Sequence, residues 1–587
     1  MEKKESFGGV ENGADHLDEQ SKKLKKGKKG GIKTMPFILG NEMCEKLAMV
    51  GFTKNMVNYL MEQFHMPLTQ AANTVTNFSG TSSLTPLLGA FLADSYAGKF
   101  WTISAGTFIY LLGMILLTLT AALPSLRPPA CELESPDCVS ANGGQIAILY
   151  VSLMLAALGS GGIRPCVAAF GAEQFVEEDP RKPKKTWVFF NWYYFAMGSA
   201  ILLAATVLVY IQDNVGWSLG LGIPTIAMAV SLILFVIGFP LYRYMDPSGS
   251  PYTRVFQVLV ATFRKRNLPS PDPKCLYVNK ELDATISTDG MLEHSNQFKF
   301  LDKAAIVTES DNVIASTKPN LWRLNTVHRV EELKCIVRLL PIWAAGILFA
   351  TSAAQQSTFS LQQANTMDKH LTKSFQVPAA SVSVFIMISM LCTIIIYDRV
   401  LVPVARKFTG LDRGINVLHR MAIGFFFSIA ATLVAGLLEV KRKNAAISHG
   451  LADSPTATIP ISVFWLVPQH VLHGIAEVFM MIGHLEFFYD QAPESMRSTA
   501  TALFWLAISA GEYTSTLLVT LVHKYTNWLP DKNLNRGKLE YFYWLLTFLQ
   551  VLNTLYYLIC AKLYTFKSLQ SKKKEGEEGV ELASTEV

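Results

Sequence analysis

Charge is scarce in this chain. Only 17% of its 587 residues are Asp, Glu, Lys or Arg, where a soluble protein carries about 25%. A chain this poor in charge cannot keep most of its surface in water. Metal-ligand arrays are also lacking: the eight cysteines are scattered, and none has zinc-type spacing. No nucleophile–base pair stands out, so an enzyme is not expected. The first 34 residues contain no apolar core of the kind a cleavable leader needs. Their acids Glu2, Glu5, Glu11, Asp15, Asp18 and Glu19 argue against an organelle transit peptide. The net charge of +6 does not point to nucleic acid, because much of it flanks apolar runs, as the positive-inside rule expects. Cys131 and Cys138 share one loop, where a local disulfide and two free thiols are both open.

Long apolar runs are abundant: half of the residues are hydrophobic. A bilayer crossing needs about 20 such residues in helical form. Candidate spans run over 35–60, 73–97, 100–123, 145–170, 187–211 and 217–243, then 336–360, 377–401, 418–439, 460–488, 499–523 and 541–565. The expected fold is therefore an all-α membrane protein with twelve transmembrane helices in two six-helix halves, the major facilitator architecture. Its parts are a disordered N-terminus (1–34), a first half (35–243), a linker (244–335), a second half (336–565) and a disordered C-terminus (566–587). Lys99, the cluster from Arg181 to Lys185, Arg399, Arg406, Lys407 and Arg497 fall on the side of the N-terminal lysines. That asymmetry places both termini and the linker in the cytosol. Arg127 and the run Lys441-Arg442-Lys443 fall on the opposite side. Within the linker, the mixed apolar and basic stretch from Arg254 to Lys265 reads as an amphipathic helix on the inner membrane surface.

An internal repeat is expected of such a carrier. Arg164 lies nine residues before Glu173, and Glu477 nine before Glu486; both pairs are 313 residues apart. Asp94, at the end of span 2, and Asp398, at the end of span 8, are separated by 304.

The few charges inside the spans carry the functional argument, because each costs at least about 2.5 kcal/mol at a helix centre. Span 1 holds Glu42, Glu45 and Lys46 on one helix face. Two carboxylates and one ammonium leave a surplus negative charge, which favours taking up a proton. Arg164 follows Gly159-Ser-Gly-Gly, whose small residues allow close helix contact. If the repeat holds, Arg164 and Glu477 face each other across a central cavity and form a salt bridge that breaks in another state. Asp94, Lys99 and Asp398 are candidate gating contacts at helix ends. Glu512 in span 11 is an accessory acid, a second proton site or an interfacial group. Lys54 is read as snorkelling outward, and His473 and His484 as neighbours of Glu477. The aromatic series from Phe189 to Phe195 reads as packing or an aromatic belt, with a pocket lining as the alternative.

Several of these motifs resemble those of one family. Glu42-x-x-Glu45-Lys46 is similar to the ExxE[R/K] motif of the proton-coupled oligopeptide transporters. Gly-Gly-Ile-Arg164-Pro-Cys, Phe170-Gly-Ala-Glu-Gln-Phe175, Phe190-Asn-Trp-Tyr-Tyr and Leu485-Glu-Phe-Phe-Tyr-Asp-Gln-Ala-Pro-Glu494 resemble the plant nitrate-transporter/peptide-transporter branch, nearest its third subfamily. The resemblance covers about Gly31 to Thr565. It implies proton symport by alternating access, with protons as the coupling ion and no other cofactor. By this resemblance Glu42, Glu45, Lys46 and Glu477 serve proton coupling, and Arg164, Gln355 and Glu477 meet the substrate. A helix-7 histidine associated with nitrate in the family is replaced here by Ala353; neutral Gln355 remains to hydrogen-bond an anion or carboxylate. The expected substrate is a small anion or carboxylate-bearing solute, nitrite or nitrate first. A gibberellin-type hormone and a di- or tripeptide are the alternatives, and a non-transporting sensor is the alternative of another class. The expected partners are that solute and the lipid bilayer, with no nucleic acid; monomer and dimer are both open. The plasma membrane is the expected site, with the tonoplast or plastid envelope as alternatives.

Overall fold

The computed structural model describes residues 30–129, 139–175, 186–244, 251–269, 275–283, 286, 291–308, 311, 319–373, 375–411, 414–455, 457–493, 496–530 and 533–567. Cys131 and Cys138 lie outside them, as do the side chains of Asp94 and Asp398. In lipid, every backbone N–H and C=O must be satisfied within the spanning segment, so apolar runs become helices. Among the described residues, twelve long helical segments result, labelled in chain order. In the first half, α1 is Met35–Thr53 continuing as Met56–Phe64, α2 is Leu68–Leu92, α3 is Gly98–Ala122, α4 is Gly143–Glu173, α5 is Thr186–Leu203 running on to Asn214, and α6 is Trp217–Ile237. In the second half, α7 is Val327–Thr366, α8 is built around Val384–Ile396, α9 is Val417–Ser448, α10 is Val467–Glu477 continuing as Gly483–Gln491, α11 is Arg497–Tyr525 and α12 is Leu539–Leu563.

Among the described residues, ten stretches are long and apolar enough to cross a membrane. One of them, Leu68–Ala122, contains both α2 and α3, and α1 falls outside the ten because of its three charges. Helix α3 shows why simple amphipathicity does not mark these segments. Ile103, Tyr110, Met114 and Leu117 are buried, while Phe108, Leu112, Ile115 and Leu119 are exposed. Both faces are apolar because one meets protein and the other lipid. Helix α7 begins at Val327, earlier than residue 336, because Thr326 caps it by accepting from the Arg329 amide at 3.4 Å.

The Gly159-Ser-Gly-Gly stretch of α4 is where the first half packs most closely. A Cβ at Gly159 would overlap the Tyr110 backbone of α3, and one at Gly161 would overlap Thr85 of α2. Two of the π-helical turns fit the expected repeat. The π-helical turns Ala93–Ala97 and Tyr397–Leu401 close α2 and α8, 304 residues apart and centred on Ser95 and Arg399. Beside each turn a cation meets an acid. Lys99 pairs with Glu173, and Arg420 pairs with Glu486 at 2.9 Å while lying 4.4 Å from the centre of the Tyr397 ring.

The halves touch through α2 and α11, where Thr76 and Asn77 bond Thr516 at 2.7 and 2.8 Å and Thr81 meets Tyr513 at 2.7 Å. Asn58 of α1 bonds Asn365 of α7 at 2.8 Å, and Ser381 donates to Ala205 at 2.8 Å. These bonds lie at or beyond mid-height on the side away from the linker. Toward the linker, Leu84, Leu88 and Leu92 of α2 are exposed.

The basic run at 441–443 has a structural use that overrides its topological reading. Arg442 is buried and pairs with Glu439 at 2.6 Å. Lys443 pairs with Glu540 at 2.9 Å, and Lys441 sits over the Trp465 ring. These cations are spent on packing. In the linker, Pro251–Arg264 is a helix whose Val258 and Ala261 join Leu301, Ala304, Val330 and Leu333 in a small separate core.

Candidate functional site: a buried charge relay between helices 1, 4 and 5

Four charged side chains meet where α1 faces α4. Lys46 lies 2.6 Å from Glu45 Oε2 and 3.2 Å from Glu42 Oε1. Arg164 Nε lies 3.2 Å from Glu45 Oε1. Tyr193 of α5 donates to Glu42 Oε1 at 2.8 Å. Both carboxylates are almost completely buried. The expectation of a surplus carboxylate is thereby corrected: two acids face two cations, and the cluster is neutral. Each oxygen of Glu45 is engaged, one by Lys46 and one by Arg164. On Glu42, Oε1 is engaged while Oε2 is buried and has no hydrogen-bond partner among the described residues. A proton can add there without breaking a bond.

The expected Arg164–Glu477 bridge does not form in this state. Arg164 turns to Glu45 within its own half, and Glu477 takes His473 on its own helix at 3.4 Å. No ion pair joins Arg164 to Glu477 among the described residues. The reason is local: Glu45, one turn from Glu42 on α1, already lies within reach of the guanidinium. Contact across the halves falls instead to Trp505 of α11, whose ring centre lies 5.9 Å from the Arg164 guanidinium. Glu477 keeps about a quarter of its side chain exposed.

Lys54 does not reach outward. It sits at the break between the two segments of α1, in a small enclosed space with Ser357, Ser360, Ser383 and His470 of the other half, and its ammonium interacts electrostatically with Glu477. His484 packs against Phe488 and Phe504, away from Glu477, as a core residue.

Gln355 is also placed differently from expectation. It is buried, and its amide donates to Ser515 of α11 at the backbone oxygen, 3.1 Å away, and to the hydroxyl. Its donors are consumed in α7–α11 packing, so it does not present them to a solute. Glu512 lies at the seam between halves, where Ser79 of α2 donates to it at 3.2 Å. No cation partner for it is found among the described residues. Lys99 is held by Glu173 at the linker end of the first half. Of the residues now in the relay, sequence reading missed the parts played by Tyr193, Lys54 and Trp505. A phenol two turns from charged neighbours carries no spacing signal. His294, Asp302 and Glu331 of the linker converge like a cation site, but the Lys334 ammonium fills it, 2.7 Å from Asp302 and 2.8 Å from Glu331.

Two six-helix halves around a buried cluster of ion-paired acids and cations are the build of a membrane carrier of the major facilitator type, not an enzyme. Residues 100–535 match the POT family model. The chain is 66% identical to the Arabidopsis thaliana protein NRT1/PTR FAMILY 3.1 over 92% of both chains. It is 47% identical to NRT1/PTR FAMILY 8.1 of the same plant, over 92% of this chain and 95% of that one. Among solved structures, the auto-inhibited POT family peptide transporter superposes with a TM-score of 0.67 at 20% identity, over 92% of this chain and 98% of that chain. The POT family transporter PepTSo gives 0.65 at 19% identity, over 91% and 98%. The chain belongs to the POT family, in its plant NRT1/PTR branch, and is a multi-pass, proton-coupled membrane transporter.

Proposed function

We propose that this protein is a symporter that carries a small anion, nitrite or nitrate, into the cytosol across the plasma membrane together with protons. The observation that carries the reading is the neutral four-charge cluster with one oxygen, Glu42 Oε2, that has no hydrogen-bond partner among the described residues. A proton on that atom turns the cluster from neutral to a net charge of +1. Lys46 then gives its attraction to Glu45 alone, and Glu45 no longer needs both cations. The Arg164 guanidinium is released to bind an anion, which restores neutrality. Its planar fork suits a planar oxyanion, which two parallel N–H bonds can hold. A cation buried at membrane depth without an anion is costly, so proton and anion each raise the affinity for the other. That reciprocity is the thermodynamic condition for symport.

The polar inter-half contacts on the side away from the linker fit a state closed on that side, with the linker side facing the cytosol. Return of the empty carrier requires Arg164 to fall back on Glu45. Glu477 acts from the second half, through His473 and Lys54, on the far side of the solute path. Ala353 leaves helix α7 without an imidazole for the anion, so Arg164 supplies the positive charge. Uptake into oocytes under an inward proton gradient, with labelled nitrite, nitrate, a gibberellin and a dipeptide side by side, tests the reading. Proton-driven accumulation of nitrite or nitrate supports it. Accumulation of only the hormone or the peptide overturns the substrate, and binding without accumulation of any of them makes the protein a sensor.

A further inference from the structure

The linker connects α6 to α7, so it lies against the membrane face where those helices end. Its helix Pro251–Arg264 is apolar on two sides. Val258 and Ala261 face the linker core. On the opposite side Phe256, Leu259 and Phe263 are 60%, 42% and 65% exposed. They stand at positions i, i+3 and i+7, one continuous ridge. A helix that has already buried one apolar face and still shows another is suited to a second apolar medium.

The ridge ends in Arg264, Lys265 and Arg266. Beside them is a cavity of about 500 Å³ lined by Arg264, Lys265, Asn267, Thr308, Asp311 and Arg323 among others. Within it, Lys265 is already neutralised by Asp311 at 2.9 Å. Burial alone would raise the Asp311 carboxyl, but the Lys265 and Thr308 donors outweigh it and hold the group below its ordinary range. The positive charge of the cavity therefore comes from Arg264 and Arg323, for which no acid partner is found among the described residues. Both side chains are exposed. A pair of free guanidinium groups over a polar hollow, at the end of an apolar ridge, matches one partner in both charge and polarity.

We propose that this surface binds an anionic phospholipid of the bilayer the protein spans. Phe256, Leu259 and Phe263 enter the acyl-chain boundary, and Arg264 and Arg323 hold the headgroup phosphate. Attachment of the linker to the membrane would then set how freely the two halves rock.

The test uses the full-length protein in neutral detergent. Thermal unfolding is followed during titration with dioctanoyl phosphatidylinositol phosphate, with dioctanoyl phosphatidylcholine, and with free inositol phosphate. The expected result is saturable stabilisation by the anionic lipid only. Each cation near an anionic surface strengthens binding about fivefold, so Arg264→Gln with Arg323→Gln should weaken it about 25-fold. Phe256→Ser with Phe263→Ser should weaken it independently. Both double variants should keep the wild-type unfolding temperature without lipid, since the side chains are exposed. Equal stabilisation by phosphatidylcholine, equal affinity for free inositol phosphate, or wild-type lipid affinity in the arginine variant would overturn the proposal.

Discussion

Replacing Glu42 by Gln isolates the proton from every other property of the relay. The carboxylate accepts from Tyr193 at 2.8 Å and sits 3.2 Å from Lys46 through Oε1. A glutamine retains that acceptor and places its amide nitrogen where Oε2 has no partner among the described residues. Shape is preserved; the cluster changes from neutral to +1 and stays there. The variant is thus a permanent copy of the protonated state. A proton gradient is worth about 1.4 kcal/mol, or tenfold, per pH unit. Coupling one proton to one monovalent anion is electrically neutral, so an inward gradient of about two units should sustain about 100-fold accumulation by the native protein. Glu42→Gln should bring that ratio to about one, while exchange of labelled for unlabelled anion continues, because Arg164 remains released. Proteoliposomes with an imposed pH step give both numbers in one preparation. Concentrative uptake by Glu42→Gln at the native ratio would refute the assignment of the coupled proton to this residue.

Removing Arg164 as alanine should abolish uptake and also destabilise the protein by about 3–5 kcal/mol, because Glu45 is left buried with one cation fewer; unfolding in detergent checks this, and adding Glu45→Gln should recover part of the loss. Gln355→Ala should lower the unfolding temperature through the lost Ser515 contacts, with the anion affinity unchanged in a binding titration. Arg442→Met should cost about 3–5 kcal/mol by stranding Glu439, and the double change with Glu439→Gln should restore most of it, as read from unfolding midpoints.

What could be read from sequence divides along physical lines. The spans were legible because lipid demands long apolar helices, and Glu42, Glu45 and Lys46 because charge inside such a helix is anomalous. The 313-residue offset pairing Arg164 with Glu477 and Glu173 with Glu486 was legible too, and two π-turns 304 residues apart support a repeat. Partner choice was not legible. Symmetry suggested that Arg164 meets Glu477, but proximity gave it to Glu45, because two long side chains on adjacent helices outreach a partner in the other half. Gln355 looked available because sequence shows a donor and not where it is spent. Lys441-Arg442-Lys443 counted against the assigned topology because a basic run reads the same whether it faces lipid headgroups or Glu439 and Glu540. Tyr193 was hidden among aromatic neighbours, and its one hydroxyl has no period to reveal it.

The central claim is that a proton on the relay and an anion on Arg164 travel together. Simultaneous recording of internal pH and labelled anion in proteoliposomes of the full-length protein tests it most directly, starting from an anion gradient with no pH difference. Inward anion flux by the native protein is expected to acidify the interior, one proton per anion, whereas Glu42→Gln should exchange labelled for unlabelled anion with no net anion flux and no pH change. Anion flux by the native protein that leaves internal pH unchanged would contradict it.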